Sequence, residues 1–154
     1  MQKVLVVVDM QNDFIDGALG TKEAVAIVPG VKEKIKNFDG VVLFTRDIHE
    51  TYYLDTQEGQ KLPVPHCIRD TEGWQIRSEL DALRKTEPID KETFGSTDLA
   101  GELVAMNEDN EIKSITFVGL CTDICVISNA LLAKASLPEV LIIVDAKCCA
   151  KTAS

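Results

Sequence analysis

Short runs of apolar residues recur along the chain and are separated by segments with helical spacing. The clearest runs are residues 4–8, 41–45, 112–118 and 140–144. They are mostly apolar rather than alternating, which is typical of strands buried on both faces of a parallel sheet. Residues 86–90 predict a fifth strand at an edge, because the proline at 88 cannot donate a ladder hydrogen bond.

Apolar side chains at helical spacing follow most of these runs. Proline suits the first turn of a helix, so we place one helix start at Pro29, and Ser96 or Thr97 can cap a later helix. Alternating strands and helices predict an α/β fold with a doubly wound, mostly parallel sheet, a Rossmann-like three-layer sandwich. The predicted helices cover residues 29–38, 74–83, 98–106 and 125–135.

Polar side chains stand at the carboxyl ends of the predicted strands. Asp9, Asp47 and Lys91 each follow such an end, and Cys125 follows another through a glycine turn. In a doubly wound sheet, ligands bind outside these ends. We therefore expect the four side chains to meet at one site.

Cys125 lies at the start of a predicted helix. Thr122 or Asp123 can cap that helix, and its free N–H groups and positive dipole end favour a thiolate. Asp9 is then the candidate base and Lys91 a group that could stabilise the thiolate. The alternatives are that Cys125 is a small buried hydrophobic residue and Lys91 an ordinary surface lysine.

The only two histidines of the chain lie in one polar segment, residues 47–71. Proline and glycine interrupt this segment, and long irregular loops in small domains are usually functional. Asp47, His49, Glu58 and His66 combine imidazole and carboxylate groups, which suit Zn²⁺, Fe²⁺ or Mn²⁺. The alternative is a solvated loop with two surface histidines.

Composition sets limits on the class of protein. A chain of 154 residues is long enough for one domain, residues 1–154, and too short for two. The net charge of −9 argues against nucleic acid or an anionic membrane as a partner. No signal-peptide pattern or membrane-length apolar run is present, so we expect a cytoplasmic protein. The five cysteines form no recognisable zinc or disulfide pattern, and we expect them to be reduced.

Three segments together resemble a known family. Val-Val-Asp-Met-Gln-Asn-Asp-Phe at 7–14, Lys-Glu-Thr-Phe at 91–94 and Gly-Leu-Cys-Thr-Asp-Ile-Cys-Val at 119–126 are similar to the signature segments of the isochorismatase-like cysteine hydrolases. The pattern of Asp47, His49, Glu58 and His66 resembles the metal site of the nicotinamidase branch. Isochorismatase and carbamoyl-amidase relatives generally lack that site. The resemblance runs from residue 4 to about residue 152.

The resemblance implies a cysteine hydrolase that converts nicotinamide to nicotinate and ammonia, a step of pyridine nucleotide (NAD) salvage. By position, Cys125 would attack the carboxamide carbon, Asp9 would relay the proton to the leaving ammonia, and Lys91 would hold the charges in place. The backbone N–H groups of Cys121 and Cys125 would form the oxyanion hole. The family also implies a cis peptide before Cys121.

The resemblance further implies one divalent metal ion, zinc by preference and iron or manganese otherwise. Asp47, His49, Glu58 and His66 would bind it, and Asp55 competes with Glu58 for the fourth position. The metal would take the pyridine nitrogen, with Phe14 as a wall of the substrate pocket. The partner implied is therefore a small carboxamide.

Two alternatives stay open beside this reading. The chain could be another small-carboxamide or isochorismatase-like hydrolase, or a catalytically silent metal-binding homologue. In the family a further helix and a short strand follow the region of residues 145–154. The chain is either naturally short or lacks those residues, and we expect one face of the sheet to be bare. A homo-oligomer is left open, and Cys148 and Cys149 are assigned no role.

Overall fold

The computed structural model, which describes residues 1–152, has a parallel five-stranded sheet at its centre. The strand order is β3-β2-β1-β4-β5, so β1 lies in the middle and the chain winds outward from it in both directions. This arrangement confirms the predicted doubly wound α/β fold. The strands are β1 (Gln2–Val8), β2 (Val41–Asp47), β3 (Ile89–Lys91), β4 (Ile112–Leu120) and β5 (Leu141–Ala150).

Helices cover both faces of the sheet. Two 3₁₀ turns, Tyr53–Asp55 and Glu72–Trp74, and one π-helical turn, Thr122–Val126, interrupt the connections. No helix among residues 1–152 is long and apolar enough to cross a membrane. The α-helices are α1 (Asn12–Ile15), α2 (Lys22–Asn37), α3 (Gln57–Lys61), α4 (Ser78–Asp81), α5 (Thr97–Asp109) and α6 (Ile127–Ser136).

Strand β1 divides the hydrophobic core into two layers. Leu5 and Val7 pack with α2 on one face, whereas Val4, Val6 and Val8 pack with α5 and α6 on the other. All five side chains are fully buried. A strand with both faces covered has no polar alternation, which explains why its sequence is continuously apolar.

Helix α2 begins at Lys22, so the prediction that it begins at Pro29 was wrong. The Thr21 hydroxyl caps the helix by accepting a hydrogen bond from the Ala24 amide at 3.0 Å. Pro29 lies inside the helix. The buried positions Ala24, Val28 and Val31 keep one helical face on the sheet across the proline, and this packing outweighs the lost backbone hydrogen bond.

The predicted helix at 74–83 is replaced by the Glu72–Trp74 turn and the short helix α4. Between them, Ile76 forms an antiparallel bridge with Gln11, and the Arg77 amide donates to the Met10 carbonyl at 2.9 Å. These tertiary bonds hold the backbone extended where the apolar spacing alone favours a helix. Segment 47–71 is likewise less irregular than predicted, because it contains α3 and a 3₁₀ turn.

Strand β5 continues to Ala150 rather than ending at Val144 as predicted. Its pairing with β4 shifts register between Phe117 and Gly119, so Asp145 lies inside the strand. Side chains along this edge, including Leu141, Ile143 and Val144, are exposed. The exposed apolar side chains thus lie along the β5 edge, and the expectation that one face of the sheet is bare stays a prediction.

Candidate active site and metal centre

Three of the predicted side chains meet where β1, β3 and the turn after β4 end, and we call them the thiol half of the site. Lys91 Nζ lies 2.8 Å from Asp9 Oδ2 and 3.4 Å from Cys125 Sγ. Asp9 is fully buried, and Lys91 and Cys125 are 3% and 6% exposed. The cation thus stands between a carboxylate and a thiol in a site that excludes bulk water.

Asp9 leaves β1 with a positive φ of 49°, which turns its side chain from the strand into the site. Its Oδ1 accepts a hydrogen bond from the Thr45 hydroxyl at 2.8 Å. Burial raises the pKa of Asp9, and the charge of Lys91 opposes that rise. A carboxylate with a raised pKa is a better proton acceptor than an ordinary aspartate.

Lys91 is the last residue of β3 rather than the residue after it. Its ammonium also donates to the Thr93 carbonyl at 3.1 Å and lies 3.9 Å from Asp47 Oδ1. Burial lowers the pKa of Lys91, but the charges of Asp9, Cys125 and Asp47 outweigh burial and raise it. The lysine therefore stays protonated at neutral pH.

Cys125 lies in the π-helical turn that precedes α6. The Val126 amide donates to the Cys121 carbonyl at 3.0 Å, a bond one residue wider than in an α-helix. Neither Thr122 nor Asp123 caps this turn, contrary to our prediction. Asp123 instead accepts from the amide and the hydroxyl of Thr152, at 3.0 and 2.7 Å, so its carboxylate is already engaged.

The surroundings of Cys125 favour its thiol form over the thiolate. Burial and the charge of Asp9 raise the pKa of Cys125 well above its ordinary value, and Lys91 only partly offsets this. The sequence predicted that the helix start favours a thiolate, and burial acts on the pKa of Cys125 in the opposite direction. Deprotonation of Cys125 therefore needs a neighbouring base.

The connection between β4 and the π-helical turn brings backbone close to the thiol. The Leu120–Cys121 peptide is cis, as the resemblance implied. Gly119 has φ 116°, and a Cβ at this position would collide with the Val8 carbonyl. Only glycine therefore lets β4 approach β1 this closely, just before the amides of Cys121 and Cys125.

The metal half of the site consists of Asp47, His49, Glu58 and His66. Asp47 ends β2, and its Oδ2 lies 2.9 Å from His49 Nε2 and 3.3 Å from His66 Nε2. One ligand atom from each of these three residues lies within 4.8 Å of the others. Glu58 on α3 adds a carboxylate oxygen 3.4 Å from His49 Nε2. Asp55 is exposed, so Glu58 is the acidic side chain that joins this group.

His66 is oriented as a metal ligand requires. His66 Nδ1 lies 2.7 Å from the Val64 carbonyl, which can only accept a hydrogen bond. Nδ1 therefore carries a proton, and Nε2, which lies 3.3 Å from Asp47 Oδ2, is the nitrogen left to bind a metal. Tyr53 packs its ring against both histidines, with centroids 4.7 and 5.0 Å away, and donates its hydroxyl to the Leu62 carbonyl at 2.9 Å. The donor set and its outer partners fit a divalent metal ion.

Charges within the metal half favour an anionic Asp47. Burial alone would raise the pKa of Asp47, but hydrogen bonds from His49 and His66 and the charge of Lys91 together lower it. Burial lowers the pKa of His66, and contact with Asp47 and Glu58 raises it overall. A cation is therefore favoured among these side chains.

Both halves open into one cavity of about 400 Å³. Asp47, Glu58 and His66 line one side of it, and Cys121 and Cys125 line another. Phe14 also lines the cavity, as predicted for a pocket wall, and its ring centroid lies 5.4 Å from that of His66. Three side chains of the metal half and the Cys125 thiol thus face the same small volume.

Several side chains that hold this arrangement were not predicted from the sequence. Thr45 lies two residues before Asp47 on the same face of β2, a spacing that could have revealed it. Tyr53 packs against the histidines, Gln11 bonds the Asp47 backbone and Asn129 bonds the Cys125 backbone. No signal in the sequence revealed these three residues, because most of their contacts join segments far apart in the chain.

These features coincide with a known family. Residues 3–154 match the Isochorismatase domain. The chain belongs to this family, whose members are hydrolases.

Individual relatives share the fold and part of the sequence. An uncharacterized isochorismatase family protein, PncA of Bacillus subtilis, is 34% identical over 149 residues, covering 84% of this chain and 77% of that protein. A pyrazinamidase of Pyrococcus horikoshii in complex with zinc has a TM-score of 0.77 and 26% identity, covering 99% of this chain and 88% of its own. The structure of N-carbamoylsarcosine amidase of Thermoplasma acidophilum has a TM-score of 0.79 and 26% identity. The match covers 100% of this chain and 87% of the amidase chain.

Proposed function

We propose that this protein is a metal-dependent nicotinamidase that hydrolyses nicotinamide to nicotinate and ammonia. The observation that carries the proposal is that Asp47 and His66, which group with His49, line the same cavity as the Cys125 thiol. A thiol paired with a base can cleave many carboxamides. A metal site beside the thiol favours a carboxamide whose ring also carries a nitrogen that can bind the metal. Nicotinamide offers both groups on one small molecule.

Asp47, His49, Glu58 and His66 would hold the metal, with zinc preferred over iron or manganese for this mixed set. When bound, the metal supplies a Lewis acid that takes the pyridine nitrogen and orients the ring. Phe14 packs beside His66 and offers an apolar surface to the ring. The aromatic part of the substrate is thereby held while its carboxamide faces Cys125.

Cleavage begins with proton transfer from the Cys125 thiol to the Asp9 carboxylate. The sulfur then bonds to the carboxamide carbon, and the carbonyl oxygen becomes an oxyanion that accepts hydrogen bonds from the amides of Cys121 and Cys125. Each such donor contributes roughly 3–4 kcal/mol to lowering the barrier. Lys91, 3.4 Å from the sulfur, stabilises the thiolate as it forms.

The proton held by Asp9 then passes to the amide nitrogen, the carbon–nitrogen bond breaks, and ammonia leaves a thioester on Cys125. Water attacks this thioester while Asp9 accepts the proton of the water. Collapse of the second oxyanion breaks the carbon–sulfur bond, and Asp9 returns its proton to the sulfur. One water molecule is consumed, and Asp9, Lys91 and Cys125 regain their starting states.

A second candidate function is an amidase for an N-carbamoyl compound, because the fold match includes N-carbamoylsarcosine amidase. Such a substrate would use the thiol half and leave the metal half without a task. The two histidines grouped with Asp47 therefore favour the first candidate.

Ammonia release from nicotinamide, benzamide and N-carbamoylsarcosine separates the candidates. We expect zinc-loaded protein to prefer nicotinamide over benzamide by at least about tenfold, because benzamide lacks the ring nitrogen. Equal rates on nicotinamide and benzamide would remove the metal from substrate binding. Release from N-carbamoylsarcosine alone would establish the second candidate.

A further inference from the structure

A buried amide side chain connects the two segments of the thiol half. Asn129 on α6 is 1% exposed and uses both ends of its amide. Its Nδ2 donates to the Cys125 carbonyl at 2.8 Å and to the Phe94 carbonyl at 3.2 Å. Its Oδ1 accepts from the Ser96 amide at 2.8 Å. One side chain thus binds the backbone of the Cys125 turn and the backbone of the segment that follows Lys91.

The segment after Lys91 depends on this connection. It runs without regular structure from the end of β3 to the start of α5 and includes Phe94, which lines the cavity. Gly95 packs so closely on α6 that a Cβ there would lie 2.6 Å from a Leu132 side-chain carbon. Asn129 forms hydrogen bonds to the backbone on either side of this contact, at Phe94 and Ser96. These bonds fix the distance between the segment and α6.

The π-helical turn needs the same support. Its backbone hydrogen bonds are wider than those of an α-helix, and no side chain caps it. The amide of Asn129 reaches back to the carbonyl of Cys125 itself. The position of the sulfur relative to Lys91 is therefore set partly by Asn129, which does not line the cavity.

We propose that Asn129 is a positioning residue that holds the Cys125 turn against the Lys91 segment. The steady-state part of its test rests on the proposed function, whereas the chemical part does not. Loss of the amide lets the sulfur move away from the lysine, and displacements of about 1 Å at a reacting centre can cost about a hundredfold in rate.

The metal half contains a matched side chain for comparison. Gln11 is fully buried, and its amide bonds the Asp47 amide and carbonyl, each at 2.8 Å, and the Trp74 carbonyl at 2.8 Å. Asn129 and Gln11 thus each make three hydrogen bonds to backbone, but in opposite halves of the site. If both residues were only structural, replacing either one would have the same kind of effect.

The test measures two properties of each purified variant: the rate at which iodoacetamide alkylates Cys125, followed by peptide mass spectrometry, and the affinity for zinc. We expect Asn129→Leu to slow alkylation at least about fivefold and to leave zinc affinity within about twofold. Gln11→Met should weaken zinc binding about tenfold or more and leave alkylation within about twofold. With nicotinamide, the first variant should lower kcat and the second should raise KM.

Asn129→Asp keeps the size and the acceptor for Ser96 but loses the donor to Cys125, so it gives the same answer if Asn129→Leu fails to fold. Unchanged or faster alkylation in a folded Asn129 variant would overturn the proposal, since the amide would then only shield the thiol. Equal effects of both replacements on both properties would also overturn it. If the wild type releases no ammonia from nicotinamide, the proposed function fails, while alkylation and zinc binding still decide the role of Asn129.

Discussion

The thiol half lies on the ends of strands, whereas much of the metal half extends along a loop. Asp9 and Lys91 are fixed by β1 and β3, and Cys125 by the turn after β4. In the metal half only Asp47 belongs to a strand, and His49, Glu58 and His66 come from the connection that follows. The thiol half is thus built on the central sheet, and most of the metal half on the connection that follows β2.

The two halves also differ in how their charges are compensated. The thiol half contains its own cation, Lys91, 2.8 Å from Asp9. The metal half places the carboxylates of Asp47 and Glu58 beside the two imidazoles. The cation nearest to it from the thiol half, Lys91, lies 3.9 Å from Asp47 Oδ1. We infer that the charges of the thiol half are compensated within the chain, whereas a bound cation would compensate those of the metal half. Changes in each half should therefore have different consequences.

The largest expected effect is loss of the nucleophile. Cys125→Ala should reduce ammonia release from nicotinamide by about 10⁴-fold or more, because it removes the thiol that lies 3.4 Å from Lys91 Nζ. The variant should still unfold cooperatively and bind zinc. Cys149→Ala is the matched control, since this buried cysteine does not line the cavity, and it should keep activity within about twofold. Full activity in Cys125→Ala would end the covalent mechanism.

Removal of the cation of the thiol half should come next. Lys91→Met leaves the Asp9 carboxylate buried without its partner, which should cost about 3–5 kcal/mol of unfolding free energy and about a thousandfold in kcat. The stability deficit should shrink as the pH falls, because a protonated Asp9 needs no cation. Chemical denaturation at several pH values measures this. A deficit that grows toward low pH would contradict the proposed pairing.

Loss of a histidine should affect binding more than chemistry. His66→Ala should weaken zinc affinity by more than about a hundredfold and raise KM for nicotinamide, because the ring is no longer held. Hydrolysis of benzamide, which offers no ring nitrogen, is the internal control and should change little. Titration with zinc and steady-state kinetics give both values. A variant that loses kcat equally on both substrates would show that the two halves are not separate.

A smaller effect decides the fourth metal position. Glu58→Gln should weaken zinc binding by about tenfold, since its carboxylate lies 3.4 Å from His49 Nε2. Asp55→Asn should leave the affinity unchanged, because Asp55 is exposed. The opposite ranking of the two variants would assign the position to Asp55.

The smallest effect concerns pH. Asp9 must be ionised to accept the thiol proton, so activity should fall as the pH drops through its raised pKa, above the ordinary value of 3.8. The Thr45 hydroxyl stabilises the ionised form at 2.8 Å. Thr45→Val should therefore move the acid limb of kcat/KM upward by up to about one pH unit. A downward movement would contradict the role of Asp9 as base.

The sequence predicted the parts of the molecule that depend on local pattern. Continuous apolar runs identified the strands, and the residues at their ends were identified because parallel strands end at one edge of the sheet. Asp9, Lys91 and Cys125 were grouped in this way, and the grouping of the histidines followed from their placement in one segment. The roles assigned to these residues stay predictions until they are measured.

What the sequence did not predict depends on packing. Pro29 was read as a helix start because local rules cannot weigh the burial of Ala24 and Val28 before it. The effect of burial on the pKa of Cys125 was not predicted because burial is a property of the fold. Asn129 was not singled out because its partners are 4 to 35 residues away in the chain. The expectation of a single domain over residues 1–154, either naturally short or lacking a further helix and strand, also stays a prediction.

The division of tasks between the two halves is tested most directly by ammonia release from nicotinamide in three samples of one preparation. These are the protein as purified, the protein stripped with a chelator, and the stripped protein resupplied with zinc. We expect release by the first, loss of most activity in the second and recovery in the third, with Cys125 still alkylated by iodoacetamide in all three. Undiminished release by fully stripped, folded protein would contradict this division of tasks.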